Sequence, residues 1–165
     1  MPSRGILAFP NPVNEKAARA VAAGVVVLAA LTLLTQWFWL LVPLAYGFLA
    51  RMLTGPTLSP LGQLATRVLA PRLGEPRLVA GPPKRFAQGI GAAITVAALV
   101  TYYGFGLVVP TIVLVAMIAV AAGLEAVFAF CLGCRIFAWL MRIGVIPAST
   151  CEACDQVALR HQPTA

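Results

Sequence analysis

The residues best suited to chemistry in this chain are its 4 cysteines, which all lie within the last 35 of its 165 residues. They form two pairs with the same internal spacing, Cys131-Leu-Gly-Cys134 and Cys151-Glu-Ala-Cys154. Two thiols at this spacing can close a disulfide, pass electrons to a partner or carry sulfane sulfur. Two such pairs separated by 16 residues also fit the spacing of a zinc knuckle. The pattern therefore indicates dithiol chemistry or metal binding.

The charged neighbours differ between the two cysteine pairs. Arg135 adjoins Cys134, and its positive potential favours a thiolate there. Glu152 and Asp155 flank the second pair and disfavour thiolates in it. In the dithiol interpretation we therefore predict that Cys131 and Cys134 are the reactive pair, that the second pair resolves the disulfide, and that no cofactor is needed.

Metal binding gives the same cysteines another role. Four thiolates would hold Zn²⁺ in a closed tetrahedral site that ties the tail to the end of the last apolar segment. An iron–sulfur cluster can use the same four ligands. Inert thiols are a third possibility, because buried cysteine behaves as a small hydrophobe, but the repeated spacing disfavours it.

One carboxyl group, Glu125, lies inside an apolar segment, six residues before Cys131. A carboxyl group in that setting is costly and is a functional candidate by default, as a proton relay to the thiols or as part of a small transport protein. On an ideal helix, however, Glu125 and Cys131 do not share a face. A hydrogen bond to Gln88, predicted at a comparable depth, would instead make Glu125 structural. The lone tail histidine, His161, is assigned no role.

The elements that must position these residues are set by composition. Hydrophobic residues make up 61% of the chain and charged residues 10%, against roughly 45–50% and about 25% in soluble domains. This excludes a soluble globular protein, a disordered chain and a nucleic-acid-binding arm. The 12 basic residues lie outside two long uncharged runs, residues 20–50 and 86–124. The formal charge of +7 therefore favours anionic lipid as the partner.

Each uncharged run is longer than the ~20 apolar residues that one membrane helix needs. We therefore predict an all-α integral membrane protein, a single membrane domain over residues 1–165, with four transmembrane helices arranged as two hairpins. The predicted spans are residues 17–35, 37–53, 86–103 and 108–130. The predicted turns are Gln36 with the Trp37-Phe38-Trp39 cluster, and Gly104-Phe105-Gly106.

The loop between spans 2 and 3 predicts a further helix over residues 59–70. Ser59 can cap it, Pro60 suits its first turn, and apolar residues follow with helical spacing. We expect an interfacial helix on the cytoplasmic surface, with packing on the protein's own bundle as the alternative. The Pro- and Gly-rich residues 71–85 predict a linker without regular structure, and residues 131–165 form the cysteine-containing tail.

The basic residues predict the orientation. Three precede span 1, six lie between spans 2 and 3, three follow span 4, and none lies in the other two connections. Because Lys and Arg are retained on the cytoplasmic side, both termini and the central loop should be cytoplasmic. An aromatic cluster falls at the opposite face, as in a membrane aromatic belt: Trp37, Phe38, Trp39, Tyr102, Tyr103 and Phe105.

Several short motifs carry a resemblance to a known family: Arg51 with Gly55-Pro56 and Ser59-Pro60, Pro83-Lys84-Arg85-Phe86-Ala87, and Glu125 followed by Cys131-Leu-Gly-Cys134. Over about residues 11–134 the chain resembles a bacterial family of uncharacterised membrane proteins, domain of unknown function 4395. The resemblance implies a bacterial inner-membrane protein. Members of the family often accompany thioredoxin-like or sulfurtransferase proteins, and this implied context favours thiol or sulfur chemistry. The resemblance carries over only Cys131 and Cys134 as candidate site residues.

The leading prediction is a membrane-bound thiol–disulfide or sulfur-relay protein with a cytoplasm-facing Cys-x-x-Cys. Its partner would be a thioredoxin-like or sulfurtransferase protein. One alternative is a non-catalytic membrane scaffold in which Zn²⁺ is held by the four cysteines. Another is a small transport component that uses Glu125. No enzyme class is assigned.

Overall fold

The computed structural model describes residues 9–147 and residue 150, and this part of the chain is helical apart from one two-residue strand pair. The helices are α1 (Glu15–Thr35), α2 (Leu41–Thr54), α3 (Pro60–Leu64), α4 (Ala70–Arg72), α5 (Gly81–Leu99), α6 (Val108–Phe128) and α7 (Leu132–Arg142). A 3-10 turn, Phe38–Leu40, precedes α2. The π-helical turns Ala65–Leu69 and Val100–Gly104 join α3 to α4 and extend α5. The all-α prediction agrees with this architecture.

Within the part of the chain that the structure describes, three helices are long and apolar enough to cross a membrane: Glu15–Thr35, Gly81–Gly104 and Val108–Phe128. The apolar helix over Phe38–Thr54 is shorter. These helices indicate a multi-pass membrane protein in a lipid bilayer, while the count of four spans stays a prediction.

Two turns meet at one end of the bundle, which we call the aromatic end. Helix α1 stops where Gln36 adopts a left-handed backbone with φ of 57°, and the chain then returns through the 3-10 turn. The ring of Phe38 in that turn lies 4.3 Å from the ring of Tyr102, whose own neighbour Tyr103 is 4.9 Å away. Phe38 of the first predicted turn therefore lies beside Tyr102, which shortly precedes the second predicted turn.

The opposite end of the bundle, which we call the basic end, gathers the other helix termini. Arg19 near the start of α1 donates hydrogen bonds to the carbonyls of Ala126 and Val127 at the end of α6. Arg85 near the start of α5 donates to the carbonyl of Met52 near the end of α2 at 3.0 Å. Cations at helix C-termini are favourable because they compensate the unpaired carbonyls and the helix dipole.

The core forms because helices distant in sequence pack along each other. Helix α1 packs mainly along α6, and α2 mainly along α5. Val25, Leu44 and Ile118 are buried between the two pairs. Gly91 lets α5 approach α2 closely, because a Cβ atom there would collide with the ring of Phe48. Small residues permit such approach between membrane helices.

The linker prediction is wrong at both ends, and at the N-terminal end Pro71 and Arg72 belong to α4. Gly81, Pro82 and Pro83 form the first turn of α5 rather than interrupting regular structure. Proline is favoured there because its missing N–H would have no partner in the helix anyway. The linker also pairs with the N-terminal segment, since β2 (Leu78–Val79) is antiparallel to β1 (Val13–Asn14).

The helical segment 60–72, formed by α3, the π turn and α4, rests against α1. Ser59 caps it, accepting a hydrogen bond from the Gly62 N–H at 3.1 Å. Leu61 fills the space above Gly24, and Ala65 is fully buried. Apolar side chains on the other face, such as Leu64, are exposed. The segment therefore packs on the bundle through one face and leaves the other face open.

Candidate functional site

The Cys131–Cys134 pair forms the beginning of α7. Cys131 is the N-cap residue, and its Sγ accepts a hydrogen bond from the Cys134 N–H at 3.4 Å. The Cys134 Sγ lies 2.7 Å from the Cys131 Sγ, and both thiols are free. The structure thus brings the two predicted reactive thiols into contact at a helix N-terminus, where a thiolate is stabilised.

The turn that precedes the pair explains its position at the basic end. Helix α6 ends at Phe128, and Ala129 takes a left-handed backbone with φ of 56°. The N–H of Ala129 donates to the Glu125 carbonyl, and that of Phe130 donates to the Leu124 carbonyl. The chain leaves α6 through this turn, and α7 begins at Leu132.

Helix α7 is held against α5 by two residues one helical turn apart. A Cβ atom on Gly133 would lie 2.6 Å from the Ala87 Cα, so only glycine allows this approach without movement of the backbone. The ring of Phe137 lies 5.5 Å from the ring of Phe86. Gly133 within the Cys-x-x-Cys therefore docks the cysteine pair onto α5.

The electrostatics of the pair differ between its two sulfurs. The pKa of the Cys131 thiol is lowered, chiefly because Cys134 donates a hydrogen bond to its sulfur, with Lys84 also favouring the thiolate. Burial and the nearby Glu125 oppose this shift. The pKa of the Cys134 thiol is raised by the same hydrogen bond and by burial. Deprotonation of the pair therefore takes place at Cys131.

A cleft of about 310 Å³ gives access to the thiols. Both cysteines line it, together with Glu15, Lys84 and Arg135. Cys131 is only 9% exposed, while Cys134 is more accessible. The sulfur that favours the thiolate is thus the more buried of the two in this thiol cleft.

Glu125 forms an ion pair with Lys84, in which the Lys84 Nζ donates to Oε1 of the carboxylate. Their side chains are only 14% and 10% exposed. The predicted hydrogen bond between Glu125 and Gln88 is wrong, because Gln88 instead accepts a hydrogen bond from the Arg51 Nε at 2.8 Å. Lys84 reaches Glu125 because α5 begins at Gly81, which places Lys84 inside the helix rather than in a linker.

Glu125 and Cys131 do not lie on one continuous helix, so the predicted separation of their faces is wrong. Helix α6 ends between them, and both residues line the same cavity of about 110 Å³. Glu125 therefore lies near the thiols, although its carboxylate is paired with Lys84.

Arg51 is the other buried cation at the basic end. Its Nη1 donates to the Ser59 Oγ at 3.2 Å, and its guanidinium carbon lies 4.8 Å from the centre of the Phe48 ring. The sequence marked Arg51 and Lys84 as orientation signals and as parts of the family motifs, but it assigned neither of them a role in the site. The position of Arg51 within the apolar helix α2, rather than after it, was the available signal that it is not an ordinary loop cation.

Part of the predicted site lies outside the described residues. Cys151, Cys154 and His161 belong to the segment 151–165, so the four-cysteine zinc prediction and the resolving role of the second pair fall there. Over residues 9–147 and 150, no three His, Cys, Asp or Glu side chains form a group able to hold a metal ion.

The fold and the site define a class: a multi-pass helical membrane protein with a Cys-x-x-Cys beside a buried ion pair. Residues 13–142 match the family described as "Domain of unknown function (DUF4395)". The match covers most of the chain, which therefore belongs to this family, as the resemblance in its sequence predicted. No curated protein matches the chain, and no solved structure matches it.

Proposed function

We propose that the protein is a membrane-bound dithiol that exchanges electrons or sulfur with a thioredoxin-like or sulfurtransferase partner at the cytoplasmic face. The observation that carries this proposal is the contact between the Cys131 and Cys134 sulfurs at the start of α7. A thiolate favoured at one sulfur and a protonated thiol at its neighbour form the arrangement that disulfide exchange requires.

The exchange needs no further reactant. The Cys131 thiolate attacks one sulfur of the partner's disulfide, and the partner's other sulfur leaves as a thiolate. Cys134 then gives up its proton and attacks the Cys131 sulfur, which releases the partner as a dithiol and leaves the Cys131–Cys134 disulfide. In sulfur relay, the Cys131 thiolate instead takes the outer sulfur of a partner's persulfide and leaves the partner as a thiolate.

The proposed topology has four spans in two hairpins, with both termini in the cytoplasm of a bacterial inner membrane. The 17 residues of Phe38–Thr54 extend about 25 Å at ~1.5 Å per residue, which approaches the ~30 Å hydrocarbon thickness. This helix runs from the aromatic end, at Phe38, to the basic end, at Met52. The thiol cleft then faces the reducing compartment, where dithiols are used for transient exchange.

Thiol trapping tests the proposal in membranes that contain the full chain. Membranes are equilibrated with glutathione at a range of oxidised-to-reduced ratios and then treated with a maleimide of high mass. Cys131 and Cys134 should become protected together as the ratio rises, and Cys131→Ser should leave Cys134 open to modification at every ratio. The matched control, Cys151→Ser with Cys154→Ser, should keep the transition of the first pair.

Two results would overturn the proposal. One is a first pair that stays fully reduced at every glutathione ratio. The other is stoichiometric zinc in the purified protein that is lost when any of the four cysteines is replaced, because closed four-cysteine sites are structural. The second result would leave the scaffold alternative in its place. A transport role for Glu125 stays a prediction, to be tested by the flux of the Glu125→Gln variant.

A further inference from the structure

We propose that a second cavity, which we call the Arg51 cavity, binds a singly charged oxyanion group carried on an apolar body. The cavity has a volume of about 280 Å³ and lies between the N-terminal segment, α1 and the segment after α2. A buried water needs only about 10–15 Å³, so a molecule of several heavy atoms fits. This cavity is lined by neither Cys131 nor Cys134 and shares only Lys84 with the thiol cleft, so the proposal does not depend on the proposed dithiol function.

The buried guanidinium of Arg51 supplies the recognition group. Arg51 is 5% exposed and lines the cavity. Its Nε and Nη1 donate to Gln88 and Ser59, and one face of the group is covered by the Phe48 ring. Its Nη2 is buried and has no hydrogen-bond partner in the part of the chain that the structure describes. A buried donor without a partner is costly, and an oxyanion is the acceptor that guanidinium groups bind most strongly.

The charges around the cavity favour one negative charge on the ligand. Arg51 and Lys84 are the charged side chains among the described residues that line it. The charge of Lys84 is already compensated by Glu125, which leaves one positive charge without a counter-ion among the residues that the structure describes. A carboxylate, a sulfonate or a phosphodiester meets this requirement, whereas a dianion would leave a buried negative charge unpaired.

The remaining walls of the cavity favour an apolar body attached to that group. Apolar side chains supply most of its lining, including Val13, Ala17, Val21, Pro56 and Leu78. Small-molecule sites combine such walls with a few placed polar groups. Two sources can provide this chemistry, a soluble organic anion and the headgroup of an anionic lipid.

The chain itself offers one rival occupant. Residues 1–8 contain no Asp or Glu, so this segment has no carboxylate side chain to offer Arg51. The tail contains Glu152 and Asp155. An experiment must therefore separate an external anion from these tail carboxylates.

Binding is tested on the full-length protein in neutral detergent after lipid removal. Benzoate, its neutral isostere benzamide and the dianion benzene-1,3-dicarboxylate are titrated by calorimetry and by the shift in thermal unfolding. Benzoate should bind at a single saturable site and at least about tenfold more tightly than benzamide, the discrimination expected when a charge-assisted hydrogen bond is lost. The dianion should bind more weakly than benzoate.

Two variants keep the test informative if one of them folds poorly. Arg51→Gln removes the recognition group, while Ala18→Leu fills the cavity wall and leaves Arg51 in place. Both should abolish saturable binding. The matched control Arg67→Gln changes an exposed arginine and should bind benzoate as the parent protein does.

A second arm of the experiment identifies the source of the ligand. The protein is placed in nanodiscs of phosphatidylcholine with and without phosphatidylglycerol, whose headgroup is a singly charged phosphodiester. Stabilisation by phosphatidylglycerol that disappears in Arg51→Gln supports the proposal with a lipid ligand, whereas benzoate binding without this effect supports it with a soluble one.

Three results would overturn the proposal. The first is no saturable binding of benzoate together with no phosphatidylglycerol effect. The second is binding that Arg51→Gln and Ala18→Leu leave intact. The third is benzoate binding that occurs only after Glu152→Gln with Asp155→Asn, because the cavity would then hold the protein's own tail.

Discussion

Removing the charge of Glu125 is the sharpest perturbation of the site. The change Glu125→Gln keeps the shape of the side chain but leaves the Lys84 ammonium buried without its counter-ion. The reciprocal change, Lys84→Met, keeps the apolar stem and leaves the carboxylate alone. Each charge also lies at the helix end that its own helix dipole disfavours, since Lys84 is in the first turns of α5 and Glu125 in the last turn of α6.

The expected magnitude follows from the burial of the pair. With exposed fractions of 10% for Lys84 and 14% for Glu125, the pair approaches the fully buried limit, in which loss of one partner costs about 3–5 kcal/mol of unfolding free energy. The double variant removes both buried charges. Its destabilisation should therefore be smaller than the sum of the two single effects by about 1–3 kcal/mol.

The reactivity of the Cys131 thiol provides a second measurement, which an ion pair with a purely structural role would not affect. Lys84 lowers the pKa of Cys131 and Glu125 raises it. Lys84→Met should therefore raise that pKa and slow the alkylation of Cys131 at a fixed pH below it, while Glu125→Gln should lower the pKa and speed the reaction. The assay is the pH profile of the alkylation rate in the Cys151→Ser, Cys154→Ser background.

The matched control is Arg67→Met, which changes an exposed arginine. This variant should change the free energy of unfolding by less than about 0.5 kcal/mol and leave the alkylation profile unchanged. If the Lys84 and Glu125 variants are no more destabilised than this control, the stabilising role assigned to the buried ion pair is refuted. The electrostatic role of the pair is refuted if both variants shift the pH profile of Cys131 alkylation in the same direction.

Three further changes test the packing around the site. Gly133→Ala should push α7 away from the Ala87 backbone and speed alkylation of the cysteine pair several-fold; an unchanged rate would contradict this docking. Arg19→Met should lower the free energy of unfolding by about 1–2 kcal/mol, because charge-assisted hydrogen bonds to the last carbonyls of α6 are lost. This free energy is measured by detergent titration, and the control Arg67→Met should leave it unchanged. Ser59→Ala should lower the free energy of unfolding by about 1–3 kcal/mol in the same assay, since it removes a helix cap and a partner of Arg51. If Arg51→Gln/Ser59→Ala is no less stable than Arg51→Gln alone, the Ser59 hydroxyl contributes nothing beyond its hydrogen bond with Arg51.

The membrane helices and their turns could be predicted because they follow from local features. A long uncharged run predicts a helix of matching length, and Gln36 and Gly106 mark the turns in which the backbone reverses with positive φ. The start of α5 could not be predicted from the run alone, because charge stops at Arg85 while the helix begins at Gly81. Prolines there are compatible with either a linker or a first helical turn.

The cysteines and Glu125 of the candidate site could be predicted, but the contacts that assemble the site could not. The spacing of Cys131 and Cys134 predicted a dithiol, but its docking depends on Gly133 meeting Ala87, a contact between residues distant in sequence. The role of Lys84 as the partner of Glu125 was hidden for the same reason. Membrane orientation is a sufficient explanation for a basic residue next to an apolar run. The second role of Lys84 becomes visible only when α5 packs against α6.

The packing of α1 along α6, rather than along its neighbour α2, has a consequence for biogenesis. Helix α1 is synthesised before α6 and therefore finds its principal partner only after α6 has been made. Until then α1 must remain in lipid with its packing surface unmatched, and Arg19 must wait for the carbonyls that it eventually contacts. Closure of the bundle is therefore a late event, and a chain interrupted before Val108 would lack the helix that completes it.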